Sequence, residues 1–120
     1  MALNPRGELL LGVKLEDKYA LANAEEIMKI PGVAFAEWGP GDMALSLGVR
    51  ASGRAALQDP GMKQARARVL AACKANKKFF LNTFALDDVI EMIKEGVMIG
   101  PASRETAEAG RKYTKREMPW

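Results

Sequence analysis

Leu9-Leu10-Leu11-Gly12-Val13-Lys14-Leu15-Glu16-Asp17 is an apolar run that turns charged only toward its end. Alternate residues of a strand share a face. On that period Leu9, Leu11, Val13 and Leu15 form a wholly apolar face, whereas Leu10, Gly12, Lys14 and Glu16 form one that becomes polar at its C-terminal end. A barrel strand needs this gradient: the outer face packs on helices and the inner face reaches a polar site at the C-terminal mouth. In a sheet covered by helices on both faces, Lys14 and Glu16 would be a costly buried pair.

Outward from this run the pattern repeats. Apolar runs at residues 9–15, 33–38, 79–81 and 97–99 are each followed by a helical pattern, and such alternation specifies a parallel sheet with crossover helices. A first helix is expected over residues 18–30, capped by Asp17, with Leu21, Ala24, Ile27 and Met28 on one face and Pro31-Gly32 as its stop. A long connection, residues 48–58, precedes Asp59-Pro60, which has the cap and first-turn chemistry of a second helix with Met62, Ala65, Val69, Ala72 and Cys73 as its buried stripe. A third helix over residues 86–95 turns Leu86, Val89, Ile90 and Ile93 inward and ends at Gly96; a fourth runs from Ser103 to about Lys112. The expected organisation is a single domain, with four βα units in residues 1–112 and an irregular arm in residues 113–120.

The chain has 120 residues, 48% apolar and 28% charged, with one Cys and no His. This composition excludes a disordered chain and a disulfide scaffold. It also excludes histidine acid–base chemistry and a Cys–His nucleophile pair. A closed eight-stranded α/β barrel needs about 250 residues, so the length allows only part of one. The net charge of +3 suits anionic substrates as readily as nucleic acid. Lys63, Arg66, Arg68, Lys74, Lys77 and Lys78 have no interleaved aromatics, so they read as a solvated helix face and no nucleic-acid partner is expected. With no apolar run of about 20 residues, no membrane partner is expected either, and a cytoplasmic location follows. Cys73 reads as a core residue.

Glu16 ends the first strand and Asp42 lies just past the second, within Gly39-Pro40-Gly41-Asp42. Both carboxylates therefore fall on neighbouring βα loops at the end of the sheet where α/β folds place their sites. Two such carboxylates suit a hard cation such as Mg²⁺ or Mn²⁺, with water and substrate filling the remaining positions; two solvated loop carboxylates fit the same spacing. Gly39, Pro40 and Gly41 form a stiff turn that leaves the backbone N–H groups of Gly41 and Asp42 open to an anion, although a sharp turn after a strand uses the same residues. Gly100-Pro101, followed by Ser103, is a second turn of this type.

Taken together, Gly12-Val13-Lys14-Leu15-Glu16-Asp17, Ala20-Leu21-Ala22-Asn23, Glu26-Ile27 and residues 31–43, with Gly-Pro-Gly-Asp-Met at their end, resemble the HpcH/HpaI aldolase and citrate lyase family. The likeness continues through Ala71-Ala72-Cys73-Lys74, Phe80-Leu81-Asn82, residues 95–100 and Met118-Pro119-Trp120. The resemblance implies the C-terminal half of a (β/α)₈ TIM-type barrel, about four βα units with parallel strands. It implies Glu16 and Asp42 as ligands of a divalent metal ion (Mg²⁺, Mn²⁺ or Co²⁺), and Gly39, Pro40, Gly41, Asp42 and Lys14 as substrate-binding residues. Lys14 stands where many relatives have Gln; its amine also admits a Schiff-base role.

The implied reaction is that of a class II aldolase, a carbon–carbon lyase that cleaves or forms a 4-hydroxy-2-oxo acid through a metal-stabilised pyruvate enolate. Its partners would be a small 2-oxo acid and an aldehyde, and the chain would be a homo-oligomer. The Arg and the base of the family have no counterpart here, so the catalytic residues stay unassigned. Two alternatives remain: a catalytically incomplete half-barrel acting as a fragment or assembly module, and a citrate-lyase-type or acyl-CoA lyase.

Overall fold

The computed structural model describes residues 9–101 and 103–116. The elements follow one another as β1 (Leu11–Lys14), α1 (Lys18–Ala22), α2 (Ala24–Lys29), β2 (Val33–Glu37), α3 (Pro40–Ser46), α4 (Gly53–Ala56), α5 (Pro60–Ala75), β3 (Phe79–Leu81), α6 (Val89–Glu95) and α7 (Arg104–Thr114). Among the described residues the strands form one parallel sheet in the order β1-β2-β3. The run at 97–99 joins it through a single parallel bridge, Leu81 to Ile99, supported by Asn82 N–H donating to Ile99 O at 3.1 Å and Met98 N–H to Phe80 O at 3.1 Å. The fold is thus α/β with parallel strands, a partial barrel in which the fourth strand is only beginning. No helix among the described residues is long and apolar enough to cross a membrane.

The two faces of the sheet differ as the opening stretch requires. Val13 packs against the core, and Leu15, Ala36 and Phe80 are buried in it with Met28 of α2 and Met62, Val69 and Cys73 of α5. The opposite face carries Gly12, Lys14, Phe35, Glu37, Phe79 and Leu81, none of them buried. Gly12 and Phe35 mark this face, because a Cβ on Gly12 would fall within the Phe35 ring. The molecule is accordingly flat, 45 × 36 × 19 Å, as one sheet with helices on one side should be.

Capping chemistry sets most helix ends where the residues predict. Asp17 accepts from the N–H groups of Tyr19 and Ala20, both at 2.8 Å, Asp59 from Gly61 and Met62, and Ser103 from Thr106 at 3.2 Å. Gly96 ends α6 in the left-handed region at φ 103°. The buried side of α5 is the predicted stripe of Met62, Ala65, Val69, Ala72 and Cys73.

Five expectations are corrected. The helix expected over 18–30 is broken at Asn23, whose side-chain amide donates to Tyr19 O at 2.9 Å while its own N–H bonds Ala20 O instead. The side chain has taken the carbonyl that the backbone of a continuous helix would use. Asp88 Oδ1 accepts from Ala85 N–H at 2.7 Å, holding 86–88 in turns, so α6 starts at Val89, and Leu86 and Ile90 are exposed rather than inward. Pro40-Gly41-Asp42 is not a free turn but the first turn of α3, and the 48–58 connection contains α4. Tyr113 and Thr114 belong to α7, with Lys115 ending it at φ 55°; the rest of the expected arm from residue 117 lies outside the described residues.

Candidate metal and carboxylate site

Parallel pairing brings the C-terminal ends of β1, β2 and β3 to one edge. Lys14 stands opposite Glu37 in register, Leu15 N–H donates to Glu37 O at 3.0 Å, and Trp38 N–H donates to Leu81 O at 3.0 Å. Glu16 leaves β1 on the same side as Lys14 and reaches the backbone of Gly39. A Cβ on Gly39 would stand 2.8 Å from Glu16 Cβ and on its Oε2, so only glycine lets the carboxylate in. Gly39 caps α3 through its carbonyl, which accepts from Met43 N–H at 3.0 Å.

Pro40, at the first position of α3, has no N–H to offer. The N–H groups of Gly41 and Asp42, the next two, have no protein partner among the described residues. Asp42 itself is exposed in the first turn, a favourable place for negative charge at a helix start.

Glu16 Oε2 is the distinctive atom. It is sealed from solvent and has no hydrogen-bond partner, a rare condition for a buried oxygen. Lys14 Nζ, 2.8 Å away, is its ionic partner. This contact, opposed by desolvation and assisted by the charges of Glu16, Glu37 and Asp42, raises the Lys14 pKa above its ordinary value. Three carboxylates thus share the field of one ammonium. Among the described residues no three acidic, His or Cys side chains converge as a ready cluster of metal ligands. The protein donors that suit a divalent ion are two, Glu16 with its unsatisfied oxygen and Asp42, which is enough for a cation that keeps several positions for water and substrate.

The structure therefore brings Lys14, Glu16 and Gly39 into contact and sets Gly41 and Asp42 on the helix turn beside them. It also supplies Glu37, which the residue reading passed over. The signal was present in the alternation of Phe35 and Glu37, which carries an acid to the inner end of β2. Arg54, Arg66 and Arg68 are committed elsewhere. Arg54 sits 3.7 Å from Asp87. Arg66 donates to Asn82 Oδ1 at 3.1 Å and Glu95 Oε2 at 2.6 Å, and Arg68 grips Glu25 with two bonds of 2.8 Å. Two members of the supposed solvated basic face are thus clamps between elements. Gly100 packs beneath the Phe84 ring, which gives that glycine a packing reason. A cleft of about 500 Å³ opens against Pro40 and Gly41, with Leu45, Val49, Phe84 and Arg54 among its walls, but Lys14, Glu16 and Asp42 do not line it.

Comparison with known proteins agrees with this architecture. The chain superposes on macrophomate synthase with a TM-score of 0.74 at 17% identity, covering 92% of this chain and 38% of that one. For an HpcH/HpaI aldolase/citrate lyase family protein from Burkholderia cenocepacia J2315 the TM-score is 0.70 at 23% identity, with 96% and 46% covered. For the citrate lyase beta subunit of M. tuberculosis, solved with oxaloacetate and magnesium, it is 0.73 at 15% identity, with 92% and 55% covered. The chain spans about half the length of these relatives or less. No curated protein sequence matches it significantly. The sequence model for HpcH/HpaI aldolase/citrate lyase matches residues 5–102, nearly the whole chain including β1, β2 and the turn that holds Asp42, and on that match the chain belongs to the HpcH/HpaI aldolase/citrate lyase family.

Proposed function

We propose that the chain provides the metal-holding half of a class II carbon–carbon lyase, a cytoplasmic homo-oligomer that cleaves a 4-hydroxy-2-oxo acid to pyruvate and an aldehyde or runs the reverse condensation. The observation that carries this reading is Glu16 Oε2, buried beside Gly39 without a hydrogen bond and with Lys14 Nζ as its ionic partner, while Asp42 stands in the first turn of the helix that Gly39 caps. Glu16 and Asp42 would hold the ion. When bound, Mg²⁺, Mn²⁺ or Co²⁺ supplies Lewis-acid stabilisation of negative charge on the oxygens of a 2-oxo acid. The chain's own groups handle the other end of such a substrate. The free N–H groups of Gly41 and Asp42 donate to its carboxylate, Pro40 fixes the turn that aims them, and Lys14 adds positive charge at the inner edge. The M. tuberculosis relative, solved with a 2-oxo acid and magnesium, supports the same pairing of ligands.

A second reading, a catalytically incomplete half-barrel that binds or assembles without turnover, is favoured by the uncovered inner face and by the commitment of Arg54, Arg66 and Arg68 to other partners. Proton exchange at the pyruvate methyl separates the two. Metal-dependent loss of the methyl signal in D₂O, abolished in Glu16→Gln, is expected for the lyase; no exchange with any of the three ions would sink catalysis by this chain alone.

A further inference from the structure

Resting on that reading of Glu16 and Asp42, we infer that the Lys14 ammonium is a tethered counter-cation seated at the Glu16 oxygen, so that a divalent ion occupies the site only by displacing it.

Geometry argues first. Lys14 and Glu16 are two residues apart on one face of an extended segment, and Nζ sits 2.8 Å from Oε2. That oxygen is sealed from solvent and receives no hydrogen bond, so the ammonium is the charge that compensates it. The ion's place on this oxygen and the amine's place are the same neighbourhood. The two partners differ in freedom. Glu16 is pinned beneath Gly39, whereas the Lys14 side chain is 51% exposed and has a flexible four-carbon stem able to swing into solvent.

Charge argues second. With Glu37 opposite Lys14 in register and Asp42 acting on the same ammonium, three carboxylates face one positive charge. The group as it stands carries a net charge of −2, which draws a divalent ion; the two cations compete because both take their place on Glu16 Oε2. A divalent ion held about 5 Å from a fixed ammonium in water would be weakened roughly tenfold by their repulsion. Lys14 thereby becomes a residue that sets metal affinity without being a ligand. Its displacement frees an ammonium at the substrate edge, where a carboxylate can take it up.

The test is Mn²⁺ titration of the full chain, followed by the EPR signal of free Mn²⁺. Lys14→Gln should bind roughly tenfold tighter than wild type. Lys14→Arg, which keeps the charge, should bind no tighter, and Lys29→Gln, at an exposed lysine paired with Glu26 on α2, should match wild type. In the Lys14→Gln background, Glu16→Gln should erase the gain. Lys14→Met provides a second neutral variant should the first fold poorly, and circular dichroism checks each protein. Lys14→Gln binding no tighter than wild type, or Lys29→Gln tightening equally, overturns the inference. If Glu16→Gln and Asp42→Asn weaken binding while Lys14→Gln changes nothing, the counter-cation fails and the metal reading stands. If those two leave the affinity untouched, both fail.

Discussion

Glu16 and Gly39 are packed so closely that a methyl group on Gly39 would stand 2.8 Å from Glu16 Cβ. The backbone at Gly39, φ −98° and ψ 90°, is open to any L-residue, so the need for glycine is purely steric. Gly39→Ala should therefore cost roughly 1–3 kcal/mol of stability through overpacking and weaken Mn²⁺ binding by shifting the carboxylate. Gly41→Ala meets nothing within 4 Å and should change stability by no more than about 1 kcal/mol, on the favourable side. Urea denaturation of the pair checks the contrast; equal losses would mean that the packing at Gly39 is unimportant.

The metal ligands make a separable prediction. Glu16→Gln and Asp42→Asn should each lower Mn²⁺ affinity at least roughly tenfold, the scale seen even for groups one step removed from a metal. Glu16→Gln should nevertheless melt close to wild type, because the ion pair it breaks has a Lys14 side chain that is 51% exposed, and such pairs contribute about 0–1 kcal/mol. Calorimetric titration and thermal melts together read both halves of the statement.

Acid should act through Glu25. Its two-pronged hydrogen bond with Arg68 lowers its pKa from 4.5 to about 2. A carboxylate with a depressed folded-state pKa contributes stability above its unfolded pKa and loses it as the pH falls through the folded one. The stability difference between wild type and Glu25→Gln should be constant above about pH 5 and shrink as the pH falls from 4.5 toward 2. A difference that grew on acidification would contradict the clamp.

The uncovered sheet face predicts association. Phe79 is 37% exposed there, in register with Phe35, and such an apolar surface favours a partner. Sedimentation velocity should show self-association of the chain at micromolar concentration, and Phe79→Glu should shift it toward monomer. A wild-type chain that stays monomeric on dilution and concentration alike would count against this.

Much of this architecture was legible in particular residues. The 3.6-residue period of Met62, Ala65, Val69, Ala72 and Cys73, the caps Asp17, Asp59 and Ser103, and the stop at Gly96 all act within one turn of chain, so local chemistry determined them. Glu16 and the Gly-Pro-Gly-Asp turn were legible because a strand end and a proline punctuate their own neighbourhood. What escaped depends on competition or pairing. Asn23 contains no signal that its amide will outbid the backbone for Tyr19 O. Glu37 acquires meaning only opposite Lys14, and Arg66 and Arg68 only once Asn82, Glu95 and Glu25 approach from other elements. The sealing of Glu16 Oε2 likewise needs Gly39 folded over it.

Because β1, β2 and β3 lie side by side in chain order, no strand is inserted between two that are already paired. Lys14, Glu16, Glu37, Gly39 and Asp42 all fall within the first two units, joined by one crossover through α1 and α2. The charged groups all come from a pair of adjacent staves, which α5 backs through the shared core and β3 flanks through its pairing with β2. Further staves can be laid at either margin of the sheet, by this chain's own later segments or by another polypeptide, without disturbing that corner.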